Sequence, residues 1–259
     1  TDAHIIAFQV PPEVVDSLKR VSREYRTSFN VVLITIYATA LCRQAGQDSV
    51  LVQVPIAGRS KETEQLIGCF AEALILKVSV SSDQFFREHV RQAHSQLYEG
   101  LKHAIPLTLL SNGLDVRPAE KLKMHRAVLH WEQTLSLRDT AQIEKGGLET
   151  APFEPGDQES AQIAAQTHSV LNINEQADGS MKGEWWFSRV AIPEETMLEV
   201  VECFKELMER AADSSPPPQS ISPWPSKKAA SGRICTRGSQ IWSSSFRVCG
   251  TAERTCYRS

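Results

Sequence analysis

Residues 29–45, FNVVLITIYATALCRQA, constrain the fold more than any other segment. Phe29, Val32, Leu33, Ile36, Tyr37, Ala40 and Leu41 recur at i, i+3, i+4, i+7 and i+8, the spacing of one helical face. Val31 and Ile34 add apolar side chains on the other side. A helix that is apolar all round is buried nearly all round, so the rest of the chain must enclose it. Thr27 or Ser28 can cap its start, and Gly46 is a C-terminal stop.

The flanking segments supply that enclosure. Residues 4–10 read as a short buried strand, and Pro11-Pro12 ends it and opens a helix striped by Val14, Leu18, Val21 and Tyr25. Residues 49–57 and 71–80 are Val- and Ile-rich strands. Ser81 or Ser82 caps a helix whose stripe is Phe86, Val90, Ala93, Leu97 and Leu101. Pro106 opens a shorter helical piece that Gly113 closes. Residues 127–135 alternate as a strand, and residues 140–165 are polar and irregular. Segments 167–174 and 181–188 form a hairpin around Ala177-Asp178-Gly179. A last helix begins at Pro193 and Glu194, with Met197, Val200, Val201, Phe204, Leu207, Met208 and Ala211 on one face. The mixture predicts an α/β (α+β) layer architecture.

Composition divides the chain. The formal net charge is −3, with 41% hydrophobic and 23% charged residues, which excludes collagen-like, disordered and membrane-spanning classes. Residues 227–259 hold seven basic residues and one acid, or +6; residues 1–226 hold 21 basic and 30 acidic, or −9. The expected organisation is a folded unit over 1–212, a Pro/Ser linker over 213–226 and a basic, disordered tail over 227–259. The overall acidity disfavours a nucleic-acid partner. No signal peptide or membrane segment is expected. Cys42, Cys69 and Cys203 sit among apolar residues and read as small core residues of a reducing compartment, the cytoplasm.

Catalytic motifs are missing. The sequence has no G-x-S-x-G elbow, P-loop, G-x-G-x-x-G or H-E-x-x-H. His89 and His94 lie five apart on one helix, off a common face, and read as solvated or half-buried; His130 and His168 read as packing or surface residues. Cys235, Cys249 and Cys256 lack zinc-ligand spacing. No metal ligand and no catalytic residue is assigned.

The specific signal lies in residues 50–77, VLVQVPIAGRSKETEQLIGCFAEALILK. A strand enters a turn at Pro55, Gly58 and Arg59; Ile67, Gly68 and Phe70 then precede a second strand. The segment resembles the carboxy-terminal half of nonribosomal peptide synthetase condensation domains, with their V-x-x-P-x-x-G-R and I-G-x-F-V-N-T-L-x-x-R motifs. Val52, Pro55, Gly58 and Arg59 match the first, and Ile67, Gly68, Phe70 and Leu74 the second. Ala71, Glu72 and Ala73 replace Val-Asn-Thr, and Lys77 stands where arginine is usual. Pro106 matches the H/N-Q-D-x-P-F-E segment, while Leu107 and Thr108 replace its Phe-Glu. The resemblance runs over residues 4–212.

The resemblance implies one chloramphenicol-acetyltransferase-like lobe, a mixed sheet with packed helices. The family joins two such lobes, and its H-H-x-x-x-D-G motif lies on the first, so this chain would be the second lobe and inactive alone. The implied activity is amide formation from a carrier-bound thioester and an amine. No cofactor would be bound directly; substrates would ride on the phosphopantetheine of a peptidyl or acyl carrier protein. The family's motif aspartate pairs with an arginine of the other lobe, and Arg59, beside Gly58, is the candidate here. Read alone, Arg59 caps a surface turn. Gly68, Phe70, Glu72 and Pro106 would line the substrate channel. A buried, unpartnered carboxylate is unfavourable, so Glu72 either faces solvent or alters the channel. A non-catalytic carrier- or partner-binding module and a fragment of a coenzyme A-dependent acyltransferase are the alternatives. A lobe without its partner would expose apolar surface and self-associate.

Overall fold

A computed structural model describes residues 3–59, 61–68, 70–81, 83–106, 109, 113, 127–132 and 168–213. The elements are β1 (Ala3–Val10), α1 (Pro12–Glu24), α2 (Phe29–Ala45), β2 (Ser49–Ala57), β3 (Ala71–Ser79), α3 (Phe86–Lys102), β4 (Ala127–Glu132), β5 (Ser169–Glu175), β6 (Met181–Ser188) and α4 (Glu194–Ala212). The polar segment 140–165, the linker from residue 214 and the basic tail lie outside the described residues, as does most of the helical piece expected from Pro106 to Gly113.

The six strands form one mixed sheet in the order β1-β6-β5-β4-β2-β3. β5, β4 and β2 run parallel, and β1, β6 and β3 join antiparallel. Register places alternate residues on opposite faces. Phe8 and Trp185 pack on Phe204 of α4, Trp185 also on Tyr37 of α2, and Trp131 on Phe29 of α2. These contacts put the helices on one face of the sheet. The fold is a two-layer α/β sandwich.

The helix that sequence required to be enclosed is its centre. α2 lies on β2, β3 and β4 and touches α1, α3 and α4. Every residue of α2 is buried except Asn30, Arg43 and Gln44. Its two threonines are satisfied within the helix: Thr35 Oγ1 donates to the Val31 carbonyl (2.8 Å) and Thr39 Oγ1 to that of Thr35 (2.7 Å). Tyr37 donates to the Val128 carbonyl of β4 at 3.2 Å, and its burial pushes the phenol pKa well up. Trp185 Nε1 donates to Ser169 Oγ at 2.7 Å, so the largest buried side chain keeps a partner.

The ends of α2 follow their local chemistry. Ser28, not Thr27, is the N-cap and accepts from the Val31 amide. Gly46 ends the helix at φ 64°, where a Cβ would be strained. α1 buries Val15, Leu18, Val21 and Ser22, and Val14 and Tyr25 of the expected stripe pack half-buried against the same core. Two expectations need correction. α3 is not capped by Ser81: it starts at Phe86 after a turn in which Ser81 Oγ accepts from the Asp83 amide. His89 is 1% exposed, not solvated, since its Nε2 accepts from the Ser81 amide at 3.0 Å and ties α3 to the end of β3.

Candidate functional site

The parallel strands β2, β4 and β5 end at the same edge of the sheet. The chain emerging from β2 runs through residues 58–70 into β3, and Gly100 near the end of α3 packs over Leu74 and Leu76 of β3. Carboxyl ends of parallel strands are where α/β sheets place ligands. Gly58, Arg59, Gly68, Phe70 and Glu72 all belong to this edge.

Gly58 is held by close backbone approach. Its amide donates to the Phe70 carbonyl at 2.9 Å, continuing the β2–β3 pairing past Ala57 and Ala71. A Cβ at this position would lie 2.2 Å from the same carbonyl oxygen and 3.1 Å from Glu72 Cγ. Only glycine fits.

Arg59 caps the turn, as it reads alone. Its Nη1 donates to the carbonyls of Thr63 (2.9 Å) and Leu66 (2.8 Å), and more distantly to that of Glu64 (3.5 Å); Nη2 donates to Gly68 (3.1 Å). The guanidinium carbon sits 4.6 Å from the centroid of the Phe70 ring. One planar cation thus collects a ring of outward carbonyls and a π face, giving the loop the order that its glycines do not. The side chain stays exposed. At the tip, Leu66 and Ile67 are 54% and 105% exposed.

Glu72 pairs with Ile56 on the helix-facing side of the sheet, beside Gly58, and is half-buried. It therefore faces neither a dry core nor open solvent. Pro106 is exposed beyond α3, and its carbonyl accepts from the Leu109 amide. Gly58, Arg59, Gly68, Phe70 and Glu72 form one cluster; Pro106 stands apart from it on a separate segment.

A second feature escapes sequence reading. On the face away from the helices, register aligns Ile75, Gln53, Val128, Val170, Trp186 and Ile5 in one row across all six strands. Beside it run His130, Asn172 and Glu184. Trp186 Nε1 donates to Glu184 Oε2 at 3.3 Å, and Lys182 pairs with the other oxygen at 2.7 Å. The signal for it in the sequence is the alternation of Asn172 and Asn174 with apolar residues, which sets this face apart from the helix-covered one, although Val170 and Trp186 on it are themselves buried. Among the described residues no group of side chains could hold a metal ion, and no helix is long and apolar enough to cross a membrane.

Helices on one face of a mixed six-stranded sheet, with loops gathered at one strand edge, define a two-layer α/β fold. Within it the chain belongs to the condensation domain family, which it matches over residues 1–225. It is 27% identical over 219 residues to one polypeptide of the linear gramicidin synthase of Brevibacillus parabrevis, covering 84% of this chain and 4% of that protein. It is 26% identical over 221 residues to phosphinothricin tripeptide synthetase PhsB of Streptomyces viridochromogenes, covering 84% and 18%. The structure superposes on the four-domain nonribosomal peptide synthetase holo-AB3403 with a TM-score of 0.65 at 16% identity, covering 82% of this chain and 17% of that one. On the condensation domain of the polyketide synthase MokA the TM-score is 0.62 at 14% identity, covering 82% and 47%. These structures share the fold. The chain spans a small fraction of the curated synthetases and under half of the solved condensation domain.

Proposed function

We propose that this chain is the carboxy-terminal lobe of a condensation domain, which forms an amide from a carrier-bound thioester and an amine once its partner lobe is present. The observation that carries this reading is coverage. Some 82% of the chain aligns with the MokA condensation domain yet accounts for 47% of it. The sequence holds V-x-x-P-x-x-G-R at Val52, Pro55, Gly58 and Arg59 but no H-H-x-x-x-D-G. Its partners in this reading are a lobe bearing that motif and a carrier protein whose phosphopantetheine presents the substrate. Arg59, exposed and fixed over Phe70, is the residue that would meet the aspartate of the other lobe. Gly68, Phe70, Glu72 and Pro106 would line the channel floor at the strand edge.

The test mixes the purified chain with aminoacyl carrier proteins, with and without a separately produced lobe carrying H-H-x-x-x-D-G. Amide product is expected only from the combination. Amide formation by the chain alone refutes the half-domain reading. Stable binding to carrier protein with no amide from any combination favours a non-catalytic module, for which the replacement of the family's asparagine by Glu72 speaks.

A further inference from the structure

A cleft of about 410 Å³ opens between the C-terminal end of α1 and the N-terminal half of α3, within the helical layer. Arg26, Arg87 and Arg91 line it together with Tyr25, Glu88 and His94. Among the described residues, none of the three guanidinium groups has an ion-pair partner. Arg87 lies over the Tyr25 ring, 5.6 Å from its centroid.

Two polar atoms of the lining residues, Tyr25 Oη and Glu88 Oε2, are shut off from solvent and have no hydrogen-bond partner among the described residues. Buried polar atoms without partners are uncommon in folded proteins and point to a missing one. Burial pushes the Tyr25 phenol pKa up, so this hydroxyl keeps its proton and donates. Glu88 can only accept while ionised. His94 is already oriented, its Nδ1 2.8 Å from Thr27 Oγ1 and its ring centroid 4.4 Å from that of Tyr98, tilted 40° to it. Arg26 holds a φ of 53° at the rim, a backbone state that arginine rarely adopts.

We propose that this cleft binds a soluble phosphate monoester of a small polyol. The phosphate faces Arg26, Arg87 and Arg91; on binding, the Tyr25 and Glu88 side chains turn their buried oxygens into the cleft, the phenol to donate to the phosphate and the carboxylate to accept from a ligand hydroxyl. Three guanidinium groups and one phenol are donors matched to the oxygens of a dianion. Glu88 excludes a bare anion as the whole ligand, because its carboxylate repels one and is satisfied only by a donor. The cleft exceeds the space a free phosphate fills. This site lies away from the strand edge and does not depend on the amide-forming reading.

Calorimetric titration of the full chain with glucose 6-phosphate, inorganic phosphate and glucose tests the assignment. Glucose 6-phosphate is expected to bind tighter than inorganic phosphate, and glucose not at all. Arg87→Ala with Arg91→Ala is expected to weaken glucose 6-phosphate by at least about tenfold, the loss of charge-assisted hydrogen bonds. Tyr25→Phe keeps the ring and is expected to weaken it severalfold; it serves if the double variant does not fold. Glu88→Gln is expected to narrow the gap between the sugar phosphate and inorganic phosphate. No binding of either phosphate at millimolar concentration overturns the proposal, as does equal binding of the two or affinity unchanged in Tyr25→Phe. Capture by phosphatidic acid vesicles with no affinity for the free sugar phosphate overturns the soluble ligand.

Discussion

Replacing Gly58 by alanine tests whether the loop at the strand edge is set by backbone approach. The added Cβ would stand 2.2 Å from the Phe70 carbonyl oxygen, inside the roughly 3.5 Å at which heavy atoms attract. Two escapes are open. The backbone of β2 can shift, straining the pairs Ala57–Ala71 and Ile56–Glu72, or the last pair can fray. Fraying gives up the Gly58–Phe70 hydrogen bond, about 0.5–1.5 kcal/mol, and releases Phe70 from beneath Arg59. Shifting carries an overpacking penalty of about 1–3 kcal/mol. With release of the Arg59–Phe70 contact counted in the fraying, either escape costs about 1–3 kcal/mol. For an ordered region of this size each kcal/mol moves the melting temperature by about 2–4 °C, so a fall of about 4–8 °C is expected for about 2 kcal/mol. Gly113→Ala is the control, since a Cβ there meets nothing within 4 Å; its melting temperature is expected within the usual surface range of about 0.5 kcal/mol. Differential scanning calorimetry on the two variants decides. A Gly58→Ala protein that melts within about 2 °C of the parent refutes the close-approach argument.

Trp185→Phe removes the indole that donates to Ser169 Oγ in the core; a loss of about 2–4 kcal/mol is expected in urea unfolding. Burial holds the His89 pKa below its usual value. The unfolded state then binds the proton more readily, so stability is complete above about pH 6.5 and falls as the pH drops below it. His89→Gln is expected to flatten that fall, read as melting temperature against pH. Arg26→Gly relieves a positive φ and is expected to stabilise the protein by up to about 1 kcal/mol, while weakening binding at the neighbouring cleft.

Sequence reading is strongest where one short stretch decides its own structure. The apolar circumference of α2, the stop at Gly46 and the face of α4 from Met197 to Ala211 are local patterns, and the core uses them as read. The strand–turn–strand around Gly58 and Arg59 is legible because a motif fixes it. What Arg59 holds is only partly legible: the turn is expected, but not four carbonyls and a ring spread over residues 63–70. The burial of His89 depends on β3 ending over α3, a tertiary fact that its spacing to His94 does not carry. The row from Ile75 to Ile5 across six strands needs the register of every pairing, which no single segment encodes.

The sheet is not equally sewn. β4 and β5 are registered through six residue pairs, from Ala127–Ser169 to Glu132–Asn174, whereas β2 and β4 share one pair among the described residues, Gln53–Val128. What bridges that join is α2, which touches β2, β3 and β4 from above and anchors Tyr37 to the Val128 carbonyl at the join itself. The β2–β3 hairpin with its Gly58–Phe70 loop is thus a leaf bound to the remaining four strands by a splint rather than by stitching. Amide exchange is expected to begin at the facing margins of β2 and β4, well before the interior of the β4–β5 ladder. Any motion of that leaf against the other strands would widen or narrow the strand edge that carries Arg59.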